Sequence, residues 1–283
     1  VGKVEKEEKM NELKVLSYDL RKHVVDMIIA GKGGHIGGDM SVMEILVELY
    51  MKQMNISPEN KDLDNRDRFV LSKGHGALAL YAVLCEAGYL TEDELFTYLK
   101  PNCHIGGEPN TRDIAGIEAS TGSLGHGLSA GVGMALAQKL DRTGAKTYVL
   151  IGDGESQEGS IWEAAMSAAA LSLDNLIVIL DCNSLQKSSR VDDTMGYVHW
   201  DEKWRAFGWN VSECDGHDVD ALAAAFRGIV PNGKPTLVIA HTVKGKGVSL
   251  MEGNPIWHFR MPNRKELRTF LQELQLSEAD LEG

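Results

Sequence analysis

The stretch "IGDGESQEGS", residues 151–160, decides how this chain is read. Asp153 lies between two glycines, directly after the apolar run "TYVLI". That arrangement is either a tight turn or a backbone brought close to something anionic. The next apolar run, "NLIVILD" (175–181), ends in "LDCNS" and places Asn183 thirty residues after Asp153. The interval fits one strand–helix–strand unit. Parallel sheets bind ligands at the carboxyl ends of their strands, so both side chains are expected at one sheet edge. Magnesium prefers one or two carboxylates together with phosphate oxygens and water. Backbone N–H groups near Gly154, at the start of the following helix, suit a diphosphate. Asp153 and Asn183 therefore read together as a metal-diphosphate site, whereas "GDG" alone reads as a turn.

The surrounding pattern supports a parallel sheet. Helices are expected at 11–30, 41–50, 76–88, 124–140, 157–172, 198–207, 218–230 and 263–276. Strands are expected at 68–72, 147–151, 176–181, 208–212 and 236–240. This alternation predicts an α/β fold: a doubly wound, mainly parallel sheet with helices on both faces. Strand 176–181 is apolar almost throughout, as a strand covered on both faces should be. Ser41 with Glu44, and Thr91 with Glu94, have capping-box spacing. Residues 100–123 form a long Gly-, Pro- and Asn-containing loop, and loops of that length are usually functional. No repeat or linker divides the chain, so residues 1–283 read as a single domain.

Two other glycine motifs carry less. "GIVPNGK" (228–234) imitates a phosphate loop, but Pro235 stands where a hydroxyl should meet magnesium, and a strand follows it. It reads as a turn. "GKGGHIGG" (31–38) reads as a glycine-rich loop with His35 in its middle. The "GDGESQ" segment starts like a dinucleotide fingerprint, but Gln157 replaces its third glycine.

Composition excludes several classes. The net charge of −12 disfavours nonspecific nucleic-acid binding. No run of 18 apolar residues suggests a membrane span. The charged opening "VGKVEKEEKMNELK" lacks the apolar core of a signal peptide. Cys85, Cys103, Cys182 and Cys214 are far apart, without CxxC spacing, and read as reduced thiols. A cytoplasmic setting is the expectation.

With these residues in place, a family resemblance becomes specific. "GDGESQEGSIWEAAMSAAALSLDNLIVILDCN" (152–183) resembles the thiamine diphosphate signature. "NRDRFVLSKGHGALALY" (65–81) and "GIEASTGSLGHGLSAGVGMALAQK" (116–139) resemble transketolase segments, in the family's order. The similarity runs from about residue 12 to about 260 and covers only the diphosphate-binding domain. It implies the N-terminal subunit of a split bacterial transketolase. The pyrimidine-binding and C-terminal domains would lie on a partner subunit, in a heterotetramer.

The resemblance implies thiamine diphosphate and Mg2+ as cofactors. Asp153, Asn183 and the Leu185 carbonyl would hold the metal. The Gly154 N–H would meet the diphosphate, and Gly122 and Leu124 would line the thiazolium. Glu158 would face the partner chain. His35, His75 and His258 match histidines around the sugar or the diphosphate. Ketol transfer needs one proton removed and one returned, and a histidine titrating near neutrality suits both. His126 and His241 are weaker candidates, while His104, His199 and His217 read as structural or are left open.

One departure stands out. "GGEPN" (106–110) puts Glu108 where split transketolases carry a histidine contacting the donor's hydroxyls. His104 is the nearest substitute. "IGGD" (36–39) also departs from the family pattern and is expected to place Ile36 and Asp39 near the donor. Added acidity disfavours an anionic group and favours hydroxyls, so an unusual sugar donor is expected. The alternatives are a deoxyxylulose-phosphate synthase-like ligase, a non-catalytic cofactor-binding module, or a nucleotide-binding α/β domain.

Overall fold

A computed structural model describes residues 2–196 and 198–275, with side chains from Glu12 onward. Five strands form one sheet: β1 (Arg68–Leu71), β2 (Thr147–Gly152), β3 (Leu176–Cys182), β4 (Asn210–Asp215) and β5 (Thr236–His241). Their order is β1-β2-β3-β5-β4, and every neighbouring pair is parallel. All five expected strands are present. β4 starts two residues later than expected, because Gly208 and Trp209 close the preceding helix: their N–H groups donate to Arg205 O and Trp204 O.

Strand residues alternate between two cores, as a pleated strand requires. Phe69, Leu71, Tyr148, Leu150, Ile177 and Ile179 face one core; Val70, Val149, Ile151, Leu176, Val178 and Leu180 face the other. Both faces are covered, which explains why β2 and β3 are mostly apolar, with Thr147 and Asp181 as the polar exceptions near their ends.

The helices are α1 (Gly2–Gly31), α2 (Ile36–Ser41), α3 (Met43–Glu48), α4 (Ala77–Glu86), α5 (Glu92–Leu95), α6 (His126–Asp141), α7 (Gly159–Ala170), α8 (Val191–Met195), α9 (Trp200–Ala206), α10 (Val219–Arg227) and α11 (Arg264–Glu273). α1, α3, α4 and α10 supply the first core; α6, α7 and α9 supply the second. Helices therefore cover both faces, as expected. Residue 276, the expected end of the last helix, lies outside the described residues. Among the described residues no helix is long and apolar enough to cross a membrane, and the four cysteines are free.

Two local expectations are corrected. The Thr91–Glu94 capping box forms, but Ser41 and Glu44 make none. The Ser41 hydroxyl donates to Asp181 at 2.8 Å, and Glu44 accepts from Arg21 at 2.7 Å through each carboxylate oxygen. Buried tertiary partners outcompete the local box, and the segment divides into α2 and α3. Likewise, residues 36–38 are not loop. Gly37 and Gly38 belong to α2, where glycine is needed: a β-carbon on Gly37 would come within 2.7 Å of Trp257 O. "GIVPNGK" forms the end of α10 and a turn before β5, as expected.

Candidate active site

The site is assembled where the strands end. After β1 the chain turns through Lys73 and His75; after β2 come Asp153 and Gly154; after β3 come Asn183 and Leu185. The segment following β5 supplies Lys244, and a 3-10 turn at Pro255–His258 supplies His258. The 100–123 loop, free of helix and strand, delivers Glu108 and Gly122. These residues share one cleft of about 590 Å3. His35, His75, His258, Glu108, Gly122, Leu124, Asp153, Gly154, Glu158, Asn183 and Leu185 all line it. Gly74 lets the two loops meet, since a β-carbon there would lie 2.6 Å from the Gly122 nitrogen.

At one end, Asp153 is buried, with 2% of its surface exposed. Its carboxylate accepts from the backbone N–H groups of Gly154 (2.7 Å) and Ser184 (2.5 Å). Burial, and then the neighbouring Asp181 charge, push its pKa up to about 7. A buried carboxylate so raised has the electrostatics of a metal ligand, since an adjacent cation would offset both effects. Asn183 Oδ1 accepts from Leu185 N at 3.0 Å, and Asn183 Nδ2 donates to Asp181 at 3.0 Å, which fixes the amide's orientation. A β-carbon on Gly154 would come within 3.0 Å of Gln186. One carboxylate, one amide oxygen and one carbonyl form a hard oxygen set suited to Mg2+. Among the described residues no cluster of three or more His, Cys, Asp or Glu competes for a metal. The residues therefore fit a magnesium-bound diphosphate.

The three histidines, far apart in sequence, form a triangle. Ring centroids are 5.5 Å apart for His35–His75 and 5.4 Å for both His35–His258 and His75–His258. Burial first, then lysine charges, lower all three pKa values, with His258 falling to about 3. This corrects the expectation of titration near neutrality. The rings are neutral at pH 7, each with one donor and one acceptor nitrogen. Lys244 Nζ donates to His258 Nδ1 at 2.9 Å, which leaves the ring proton on Nε2.

The sequence reading missed the lysines. Lys73, Lys187 and Lys244 line the cleft. Lys73 is buried and pairs with Asp181 at 2.5 Å. Lys244 also reaches the Leu185 carbonyl at 3.4 Å, and burial lowers its pKa to about 8. The signal for Lys73 and Lys244 was a lysine before glycine just past a strand end, in "SKGHG" and "TVKGKG". Glu155 was also missed. It accepts from Ser72 Oγ and the N–H groups of Gly125 and Gly152, tying three site loops together.

Other candidates lie outside the cleft lining. His104 bonds Glu94 at 3.0 Å and does not replace the missing histidine. His126 turns back to Leu124 O, His241 pairs with Glu213, and His199 faces Glu202. His217 is structural: it pairs with Glu44 and accepts from Val243 N. Ile36 and Asp39 are fully buried, and Asp39 accepts from Ala79 N at the start of α4. They belong to the core because α2 is helical and turns them inward.

Comparison with known proteins gives the same picture. Residues 14–269 match the family described as transketolase, thiamine diphosphate binding domain. The chain belongs to the transketolase family. It is 45% identical over 255 residues to a subunit of the apulose-4-phosphate transketolase of Actinobacillus succinogenes, covering 90% of this chain and 92% of that one. It is 44% identical over 226 residues to the 6-deoxy-6-sulfo-D-fructose transketolase subunit SqwG of a Clostridium species, covering 80% and 82% respectively. Among solved structures, transketolase from Leishmania mexicana superposes with a TM-score of 0.87 at 29% identity. That match covers 93% of this chain but 41% of the Leishmania chain. The chain thus spans less than half of the Leishmania transketolase and most of either relative named as a subunit.

Proposed function

We propose that this chain is the diphosphate-binding subunit of a two-chain transketolase. It would transfer a two-carbon ketol unit from a ketose, or ketose phosphate, to an aldose or aldose phosphate. Mg2+ and thiamine diphosphate are the cofactors. The observation that carries the reading is the convergence of the histidine triangle, Glu108 and the Asp153–Asn183–Leu185 oxygens on one cleft.

When bound, thiamine diphosphate supplies the stabilised carbanion that breaking and remaking a C–C bond requires. The chain's own residues do the rest. Asp153, Asn183 and the Leu185 carbonyl would hold the metal, and Gly154, whose N–H braces the Asp153 carboxylate, would border the diphosphate. Lys73 and Lys244 add positive charge beside them. Neutral His35 and His75 would each offer a donor and an acceptor to substrate hydroxyls, while His258, whose Nδ1 accepts from Lys244, would offer its Nε2–H alone; a proton could then leave one oxygen while another is hydrogen-bonded. Their lowered pKa values make them weak bases and effective neutral donors. Glu108 adds a carboxylate that pairs with hydroxyls and repels phosphate.

Glu108 favours an unusual donor sugar. Two relatives are named for uncommon sugars, apulose 4-phosphate and 6-deoxy-6-sulfo-D-fructose; both carry an anionic group, so these names support an uncommon sugar and not a preference against anions. The pyrimidine-binding domain would come from a C-terminal partner subunit, in a cytoplasmic heterotetramer. That these relatives are themselves named as transketolase subunits supports a partner. Alone, the chain would be inactive. The test is ketol transfer from xylulose 5-phosphate to an aldose phosphate, by the chain alone and co-purified with its companion subunit. Activity confined to the pair supports the reading; transfer from pyruvate with decarboxylation would favour a synthase-like ligase.

A further inference from the structure

Phe259 is an exposed aromatic ring in a polar cleft, on a segment anchored on either side of it. It is 58% exposed, lines the cleft, and its ring centroid lies 4.7 Å from that of His35. Both neighbouring anchors are fixed. Trp257 is buried, with its ring 5.4 Å from Phe270. The Arg260 guanidinium lies 4.2 Å over the Trp257 ring and bonds both Glu266 oxygens, at 3.0 and 2.7 Å. Gly33 leaves room beside the ring, since a β-carbon there would sit 3.8 Å from the Phe259 tip. Such clamping costs little further entropy when a ligand arrives. A solvated phenyl ring fixed among histidines is unfavourable until something apolar covers it.

The residues form one continuous wall. Phe259 contacts His35, His35 neighbours His75, Gly74 approaches Gly122 too closely for a β-carbon, and the Glu108 carboxylate packs where a β-carbon on Gly122 would lie. One end is an aromatic face and the other a carboxylate. Carbohydrate chains offer matching chemistry: C–H groups that suit the negative face of a ring, and hydroxyls that donate to a carboxylate. We propose that Phe259 is a stacking platform for the neutral, hydroxyl-bearing carbon chain of the sugar, beyond its ketol head. Phe259 thereby sets specificity together with Glu108. This inference rests on the ketol-transfer reading and names the substrate feature that the cleft recognises.

The experiment uses the chain co-purified with its companion subunit. Donors are xylulose 5-phosphate and hydroxypyruvate, the latter lacking a carbohydrate chain beyond its ketol unit. Phe259→Ala is expected to raise KM for xylulose 5-phosphate about three- to tenfold, in line with aromatic contact energies. KM for hydroxypyruvate and cofactor content should be unchanged. Phe259→Tyr should restore the wild-type KM, while Phe259→Leu should restore it only in part. Equal changes for both donors would overturn the inference. So would unchanged KM values accompanied by weaker association of the two chains in sedimentation, which would make Phe259 an interface residue. Absence of ketol transfer from these donors, and from apulose 4-phosphate and 6-deoxy-6-sulfo-D-fructose, by a wild-type pair that holds the cofactor would overturn the functional reading as well.

Discussion

The Glu108 carboxylate rests on Gly122, where a β-carbon on the glycine would overlap it. Gly122 has a φ of +135°, a conformation that side-chain-bearing residues avoid. A negative charge therefore sits on the wall expected to face the thiazolium and the donor sugar. Tyr81 holds the Glu108 backbone by donating to its carbonyl at 2.9 Å, so the position is fixed.

Glu108→His should shift donor preference towards ordinary ketose phosphates. Removing one like charge near a phosphate should change the ratio of kcat/KM values by about tenfold, equivalent to roughly 1.4 kcal/mol. Steady-state kinetics with phosphorylated and unphosphorylated donors measure this ratio. An unchanged ratio would remove Glu108 from specificity.

Asp153→Ala and Asn183→Ala should each cost the co-purified pair its cofactor. Asn183 is one of few oxygen donors, and Asp153 is the carboxylate among them. Retained thiamine diphosphate after gel filtration in excess Mg2+ is the readout. Chelator treatment of the wild-type pair should release the cofactor similarly, and added Mg2+ should restore binding. Full retention in either variant would contradict the metal assignment.

Arg21→Met should destabilise the fold by about 3–5 kcal/mol, because it strands a buried carboxylate. Arg21 and Glu44 are both buried and meet at 2.7 Å. Burial pushes Glu44 up, but the Arg21 charge and hydrogen bonds from His217 and Arg21 outweigh it, holding Glu44 at about 2. The double variant Arg21→Met/Glu44→Leu should lose less than Arg21→Met alone. Urea melts of the three proteins decide, and a loss under about 1 kcal/mol for the single variant would count against the pairing.

Asp39 predicts a pH dependence of stability. Burial raises its pKa to about 7, against the weaker opposing effects of the Ala79 N–H and the Lys73 charge. The native state then holds a proton that the unfolded chain releases near the ordinary value of 3.8. Stability is therefore lost as pH rises from about 4 to about 7, by at most about 1.4 kcal/mol per pH unit from this group. Asp39→Asn keeps an oxygen for Ala79 and removes the titration. Its stability relative to wild type should be greater at pH 8 than at pH 4.5. Parallel denaturation curves at both pH values would refute the assignment.

The legibility of each feature depended on how local its cause was. Thr91 and Glu94 formed their capping box because the partners lie three residues apart on an exposed turn. Ser41 and Glu44 have the same spacing, yet Asp181 and Arg21 claim them from across the core. The juxtaposition of Asp153 and Asn183 was readable because they follow adjacent strands of one strand–helix–strand unit. The inward turn of the lysines was not readable, since a lysine following a strand usually faces solvent. Only packing shows that Lys73 and Lys244 turn inward.

By itself the sequence determined the five strands, through apolar runs that can be covered on both faces, and the meeting of Asp153 with Asn183, through two strand ends one crossover apart. It also determined family membership. Tertiary structure alone decided the strand order, the histidine triangle and the fate of each charge. His35, His75 and His258 come from the α1–α2 connection, the end of β1 and the segment beyond β5. Their meeting depends on how the segments around the sheet pack, and no local propensity encodes that. Their protonation was decided at the same level, because burial beside lysine charge exists only once the chain has folded.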